Sequence, residues 1–222
     1  LSDSGCSPAE ACSGQCRCAL SSHEGRLVVI TGGPGAGKTA LLELVRRHFC
    51  EHIAVLPEAA GVVFGGGFPR RASLAARRAA QRAIYHIQRQ MERLTVEEGR
   101  AAVILCDRGT LDGLAYWPAD HDEPGGYFAD LGISHAAELR RYAAVIHLRT
   151  PAETHYNRDN PLRVEGAREA AVIDARIAEA WEGHPRHEFV GEEASFFDKV
   201  RRAIDLIRLE LPECCRQHTV TP

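Results

Sequence analysis

The run Gly32-Gly33-Pro34-Gly35-Ala36-Gly37-Lys38-Thr39 follows the pattern G-x-x-x-x-G-K-[ST], and its flanks make it a constraint on the fold. Before it stands the β-branched run Leu27-Val28-Val29-Ile30-Thr31, and after it Leu41, Leu44, Val45 and Phe49 recur at helical spacing. Strand, glycine-rich loop and helix in that order let backbone N–H groups converge on an anion. The helix N-terminus adds partial positive charge to the same spot. Gly32, Gly33, Pro34, Gly35, Ala36 and Gly37 are therefore expected to cradle the phosphates of a nucleoside triphosphate, with Lys38 on the β- and γ-phosphates. Thr39 would offer its hydroxyl to Mg²⁺.

The chain has 222 residues, 45% of them hydrophobic, which suits a single α/β domain with a buried sheet. A second short run, Ile53-Ala54-Val55-Leu56, ends in Pro57-Glu58, which brings Glu58 to the edge of the sheet near the phosphates. Glu58 reads either as a general base or as a helix cap. Gly61 to Pro69, with three glycines at 65–67, is expected to be irregular, either draped over a substrate or simply a connector. From about Ala72 to Leu94 a helix is expected, with Ile84, Ile87, Met91 and Leu94 on its buried face. Arg71, Arg78, Arg82, Arg89 and Arg93 line the opposite face, read as solvated rather than as a grip on RNA, an acidic partner or lipid.

The third apolar run, Ala101 to Cys106, stops at Asp107-Arg108-Gly109. A hydrophobic strand ending in Asp aims a carboxylate at the metal end of a triphosphate, so Asp107 joins Thr39 as a candidate Mg²⁺ ligand. A stretch with Asp112 and Tyr116-Trp117-Pro118 follows, expected as a loop or short helix facing the substrate. A helix from Ser134 to Tyr142 and a strand from Ala143 to Leu148 come next. Arg158 and Arg163 flank a turn and are expected to serve as lid arginines over the transferring phosphate. A helix from Glu165 to Trp181 is expected to bury Ala170, Ile173, Ile177 and Trp181; a strand at Glu188 to Val190 and a helix from Ser195 to Leu211 follow. Alternating strands and helices imply a mainly parallel sheet covered on both faces.

Composition narrows the partners. A net charge of −3 gives no global attraction to nucleic acid or to an anionic membrane. Apolar runs fall far short of the ~18 residues of a membrane span, so a cytoplasmic protein is expected. Four of the eight cysteines, Cys6, Cys12, Cys16 and Cys18, crowd residues 1–24, read as a disordered Cys- and Ser-rich leader, and their spacing follows no zinc pattern. The folded domain is expected over 25–211, with 212–222 as a flexible tail.

Together GGPGAGKT at 32–39, PEAA at 57–60, DRGTLD at 107–112 and AWEGHP at 180–185 resemble the AAA-like ATPase domain shared by nicotinamide-riboside-kinase modules, a branch of the P-loop NTPases. The resemblance spans roughly residues 26–210. It implies a three-layer sandwich with a five-stranded parallel sheet in the order 2-3-1-4-5, and a lid between strands four and five. In similar small-molecule kinases an Asp-Arg pair holds metal and contacts phosphate, and an acid after strand two takes the acceptor's proton. Asp107-Arg108 and Glu58 occupy those places. Mechanical AAA motors carry a catalytic Glu where this chain has Arg108, and no N-K-x-D guanine signature is present, which favours ATP. The expectation is an ATP-dependent phosphotransferase acting on a small hydroxyl-bearing metabolite such as a nucleoside. The alternative is a nucleotide-dependent switch with a protein or membrane partner, as in some eukaryotic relatives that resemble GTP-binding trafficking regulators.

Overall fold

The computed structural model describes residues 23–118, 126–150, 166–191 and 195–213. The expected leader through residue 22, the lid arginines Arg158 and Arg163, and the tail from residue 214 lie outside the described residues. Five strands form one sheet: β1 (Arg26–Thr31), β2 (Ile53–Leu56), β3 (Val103–Asp107), β4 (Ala144–Leu148) and β5 (His187–Val190). Their order is β2-β3-β1-β4-β5 and every pairing is parallel. This is the topology implied by the resemblance. It puts β1 at the centre, with β3 and β4 on either side, so the loop leaving β1 opens where the crossovers diverge.

Successive residues of β1 serve opposite faces, as the strand pleat requires. Val28 and Ile30 pack with Leu41, Leu42 and Val45 of α1 (Lys38–His48) and with Val200, Ile204 and Ile207 of α8 (Phe196–Glu210). Val29 faces the other way, toward Leu111 before α4 (Asp112–Tyr116), and Ile173, Ile177 and Trp181 of α7 (Ala167–Ala180) and its C-cap. With α3 (Leu74–Glu98) on this second face, the sheet is covered on both sides. Serine caps start three of the helices: Ser73 accepts from Ala76 N–H, Ser134 from Ala137 N–H at the head of α6 (His135–Leu139), and Ser195 from Asp198 N–H. Gly99, at φ 65°, ends α3 in the left-handed conformation that glycine adopts without strain. No helix among the described residues is long and apolar enough to cross a membrane.

Two expectations need correction. The stretch after Glu58 is not irregular throughout: α2 (Ala59–Gly65) forms there, with Ala59 and Val63 buried, and the glycines mark its end rather than a loop. The buried side of α3 is also rotated from the apolar stripe. Ala80, Tyr85, Gln88 and Glu92 are buried, whereas Leu94 is 59% exposed. The reason is a polar partner set. Glu92 pairs with Arg141 and accepts from Tyr142 at 2.8 Å, while Tyr85 donates to Glu138 at 3.0 Å. Glu138, at the end of α6, also accepts from Thr110 at 2.7 Å and from Arg89. Buried charge satisfied this completely holds α3 in one rotation, which apolar periodicity cannot reveal.

The arginine stripe is likewise mostly spoken for. Arg82 pairs with Asp130 of α5 (Gly126–Leu131), Arg89 with Glu138 and Arg93 with Glu97, and the Arg78 guanidinium lies over the Trp117 ring. A face neutralised by its own domain offers little to a polyanion.

Candidate active site

The phosphate loop closes through three glycines at positive φ, Gly32 at 128°, Gly35 at 77° and Gly37 at 97°. A side chain at Gly32 would strike the carbonyl of Leu148, and one at Gly37 would come within 2.7 Å of the Phe196 ring. Such values of φ are costly for any residue with a Cβ, so loop shape and neighbour packing both demand glycine here. Lys38 lies under the loop, its Nζ donating to the carbonyls of Gly32 at 2.8 Å and Gly33 at 3.0 Å. Burial, followed by the nearby Arg108 charge, lowers its pKa to about 7. Thr39, the second residue of α1, is exposed.

Beside the loop, β3 delivers Asp107 and Arg108. Burial and then the negative charge of Glu58 raise Asp107 to about 6, so a nearby cation would favour its ionised form. Arg108 sits at φ 71°, the single non-glycine residue with positive φ among those described. Its own N–H still bonds Ile30 O at 3.1 Å, so the backbone leaves the sheet abruptly and the side chain turns back across the site. From there Arg108 Nε donates to Glu58 Oε1 at 2.6 Å, and its terminal nitrogen to Asp112 Oδ2 at 3.2 Å and to Gly32 O at 3.3 Å. Burial opposes this charge, and Tyr116, Glu58 and Asp112 together outweigh burial, so the guanidinium titrates above the ordinary arginine range.

One side chain thus ties β2, the phosphate loop and α4 together. Glu58 precedes α2, yet its side chain makes no cap hydrogen bond. The cap reading of Glu58 therefore yields to one in which the acid faces the site. Asp112 is buried and fully engaged, accepting also from Thr31 Oγ1 at 2.5 Å and Trp181 Nε1 at 2.7 Å.

The opposite flank of the loop is held by Asp174 of α7. Its Oδ1 accepts Gly33 N–H at 2.8 Å and meets His147 Nε2 at 3.0 Å, and Arg149 reaches Oδ2 at 3.3 Å. Burial alone would raise this carboxyl, but the bonds from His147, Gly33 and Arg149 outweigh it and hold Asp174 at about 2. Sequence reasoning placed Asp112 in a stretch facing the substrate but gave it no role, and it missed Asp174 and Trp181 as site residues. A signal existed for Asp174: it stands between Ala170, Ile173 and Ile177 on the apolar stripe of α7, where a carboxylate requires a partner.

A cavity of about 630 Å³ opens from this cluster between α2, α3 and α4, bordered by Pro34, Glu58, Arg108 and Tyr116 on the loop side. Its size suits a small organic molecule. The residues present fit Mg²⁺ and a triphosphate: a glycine cradle, a buried lysine, a hydroxyl at a helix start and a carboxylate with a raised pKa. Mg²⁺ at such sites takes only one or two protein oxygens, the rest coming from phosphate and water.

The model of the AAA domain family matches residues 27–198. No curated protein matches the sequence. Among solved structures, thymidylate kinase from Ehrlichia chaffeensis is similar at a TM-score of 0.52 and 12% identity, covering 82% of this chain and 98% of its own. Thymidylate kinase from Candida albicans is similar at 0.57 and 14%, covering 88% and 94% respectively. At such identities the likeness is one of fold, the parallel five-stranded P-loop kinase sheet.

Proposed function

Since the chain belongs to the AAA domain family and carries the P-loop nucleotide-kinase fold, the setting of an ATP-dependent phosphotransferase or ATPase, we propose that it transfers the γ-phosphoryl group of Mg-ATP to a small hydroxyl-bearing metabolite such as a nucleoside. The observation that carries this reading is the Arg108 bridge: one guanidinium contacts the phosphate loop at Gly32 and Glu58 at 2.6 Å, at the border of an open cavity.

When bound, Mg-ATP supplies the phosphoryl group and a divalent charge that draws electron density from it. Lys38 and the loop amides other than that of Gly33, which is given to Asp174, would hold the phosphates, and Thr39 and Asp107 would hold the metal. Glu58 orients the acceptor hydroxyl and takes its proton. Arg108, freed in part from Glu58 as the carboxylate turns to the acceptor, stabilises charge on the moving group. Arg158 and Arg163 enter this reading by their place in the sequence alone.

Incubation of the protein with Mg-ATP and pooled nucleosides, cofactors and sugars, read as a mass gain of one phosphoryl group, tests it. Silence across the pool with nucleotide bound sinks phosphotransfer and leaves the nucleotide-dependent switch. The cavity beside Glu58 favours transfer, because a switch has no use for an acceptor pocket.

A further inference from the structure

The arginines of α3 and of the segment just ahead of it differ in their partners. Those further along the helix are neutralised within the domain: Arg82 by Asp130, Arg89 by Glu138 and Arg93 by Glu97. Three nearer its start differ. Arg70, Arg71 and Arg77 all line the cavity, are exposed, and have no carboxylate partner among the described residues; Arg70 lies over the Phe64 ring at 4.2 Å. The cavity holds two carboxylates, Glu58 and Asp112, and Arg108 already engages both. Three guanidinium groups therefore border one cavity on the α2–α3 side, with no compensating carboxylate among the described residues.

Position matters as much as charge. Gln88, at the inner end of the cavity wall, bonds Glu92, which reaches Tyr142 and through it Thr110 beside Arg108. Arg77 stands about 16 Å of helix rise before Gln88, with Arg70 and Arg71 ahead of the helix start. Arg77 and the two arginines ahead of it thus belong to the N-terminal end of the α3 wall, and Glu58 with Pro34 of the phosphate loop also borders the cavity. Planar guanidinium groups in a cluster match a phosphate dianion better than any neutral group, since each offers paired N–H donors.

We infer that the acceptor is itself a phosphomonoester, with its phosphate bound by Arg70, Arg71 and Arg77 and its reacting hydroxyl at Glu58. The inference rests on the phosphotransfer reading and names the acceptor's chemical class. The acceptor hydroxyl oxygen forms a bond to the γ-phosphorus while the bond from that phosphorus to the β–γ bridging oxygen breaks. ADP leaves with the electron pair, and the hydroxyl proton passes to Glu58. The acceptor's own phosphate is left unchanged, so the product carries two separate phosphomonoesters.

The test uses the whole chain with Mg²⁺ and a non-hydrolysable ATP analogue, titrated calorimetrically with matched pairs: nucleosides against nucleoside monophosphates, sugars against sugar phosphates and sugar acids. At least one phosphorylated member is expected to bind tenfold or more tightly than its neutral partner, and the double variant Arg71→Ala, Arg77→Ala is expected to erase that gap. Circular dichroism and the thermal midpoint of the variant, alongside Arg77→Lys, separate lost recognition from lost folding. Phosphorus NMR of the product with Mg-ATP is expected to show two phosphomonoesters.

Equal binding of every pair, a preference for carboxylates, a gap that survives the double variant, or a pyrophosphate linkage in the product each overturn the inference. Phosphoryl transfer to a neutral acceptor alone also overturns it while leaving the phosphotransfer reading intact. Phosphomonoester binding that depends on Arg71 and Arg77 without any transfer sinks phosphotransfer, and the acceptor role with it.

Discussion

Asp174 accepts the backbone N–H of Gly33 at 2.8 Å, so the second residue of the phosphate loop is fastened to α7. An amide committed there cannot bend toward a ligand, and the loop's shape is set before nucleotide arrives. Preorganisation of this kind lowers the entropy lost on binding.

Asp174→Ala strands the Gly33 N–H and removes the partner of His147 and Arg149. Leaving a buried donor unpaired costs about 1–3 kcal/mol, so denaturant titration is expected to show a loss in that range together with weaker nucleotide binding. A loss of stability with nucleotide affinity unchanged would dissociate the anchor from the loop.

The same carboxyl predicts a pH response. Its folded pKa, about 2, lies below the ordinary Asp value, so its contribution is complete above pH ~4 and disappears as pH falls toward 2. Between those limits the wild type is expected to lose about 2 kcal/mol that Asp174→Asn does not lose, measured by denaturation at pH 5 and pH 2.5. Parallel curves for the two proteins would contradict the assignment.

Much of this architecture was readable in the chain. The loop, the five strands and their parallel arrangement follow from β-branched runs, glycine placement and alternation, because those signals are local. What escaped was set by contacts across the fold. The rotation of α3 depends on Glu92 meeting Arg141 and Tyr142, which are far from it in sequence. Asp112 became part of the site only because Trp181 and Thr31 converge on it. The helix after Glu58 was obscured by its glycines, whose flexibility is visible in sequence while the burial of Val63 is not.

Glu58→Gln keeps the shape of the side chain and a hydrogen-bond acceptor for Arg108 but removes the base. If Glu58 takes the acceptor's proton, kcat is expected to fall about 10²–10⁴-fold while nucleotide affinity stays within a few-fold. Steady-state phosphorylation of an acceptor identified by the pooled assay measures it, and an unchanged kcat would remove Glu58 from the chemistry.

Lys38→Met preserves much of the side-chain volume and deletes the charge beneath the loop. Nucleotide affinity is expected to fall at least about tenfold, or ~1.4 kcal/mol, in a fluorescent-nucleotide titration. Equal binding by wild type and variant would contradict the assignment of the loop.

Arg108 combines a strained backbone with three side-chain bonds, and two substitutions separate them. Both Arg108→Ala and Arg108→Gly delete the links to Glu58, Gly32 and Asp112, so both are expected to lose phosphotransfer. Only Arg108→Gly relieves φ 71°, a conformation that costs a residue with a Cβ roughly 1–2 kcal/mol. Arg108→Gly is therefore expected to be more stable than Arg108→Ala by about 1 kcal/mol, after allowance for the greater freedom of unfolded glycine. If Arg108→Ala matches or exceeds Arg108→Gly in denaturant midpoint, the turn after β3 is not strained. The wild-type side chain must then be held there by its three acceptors without opposing cost from its backbone.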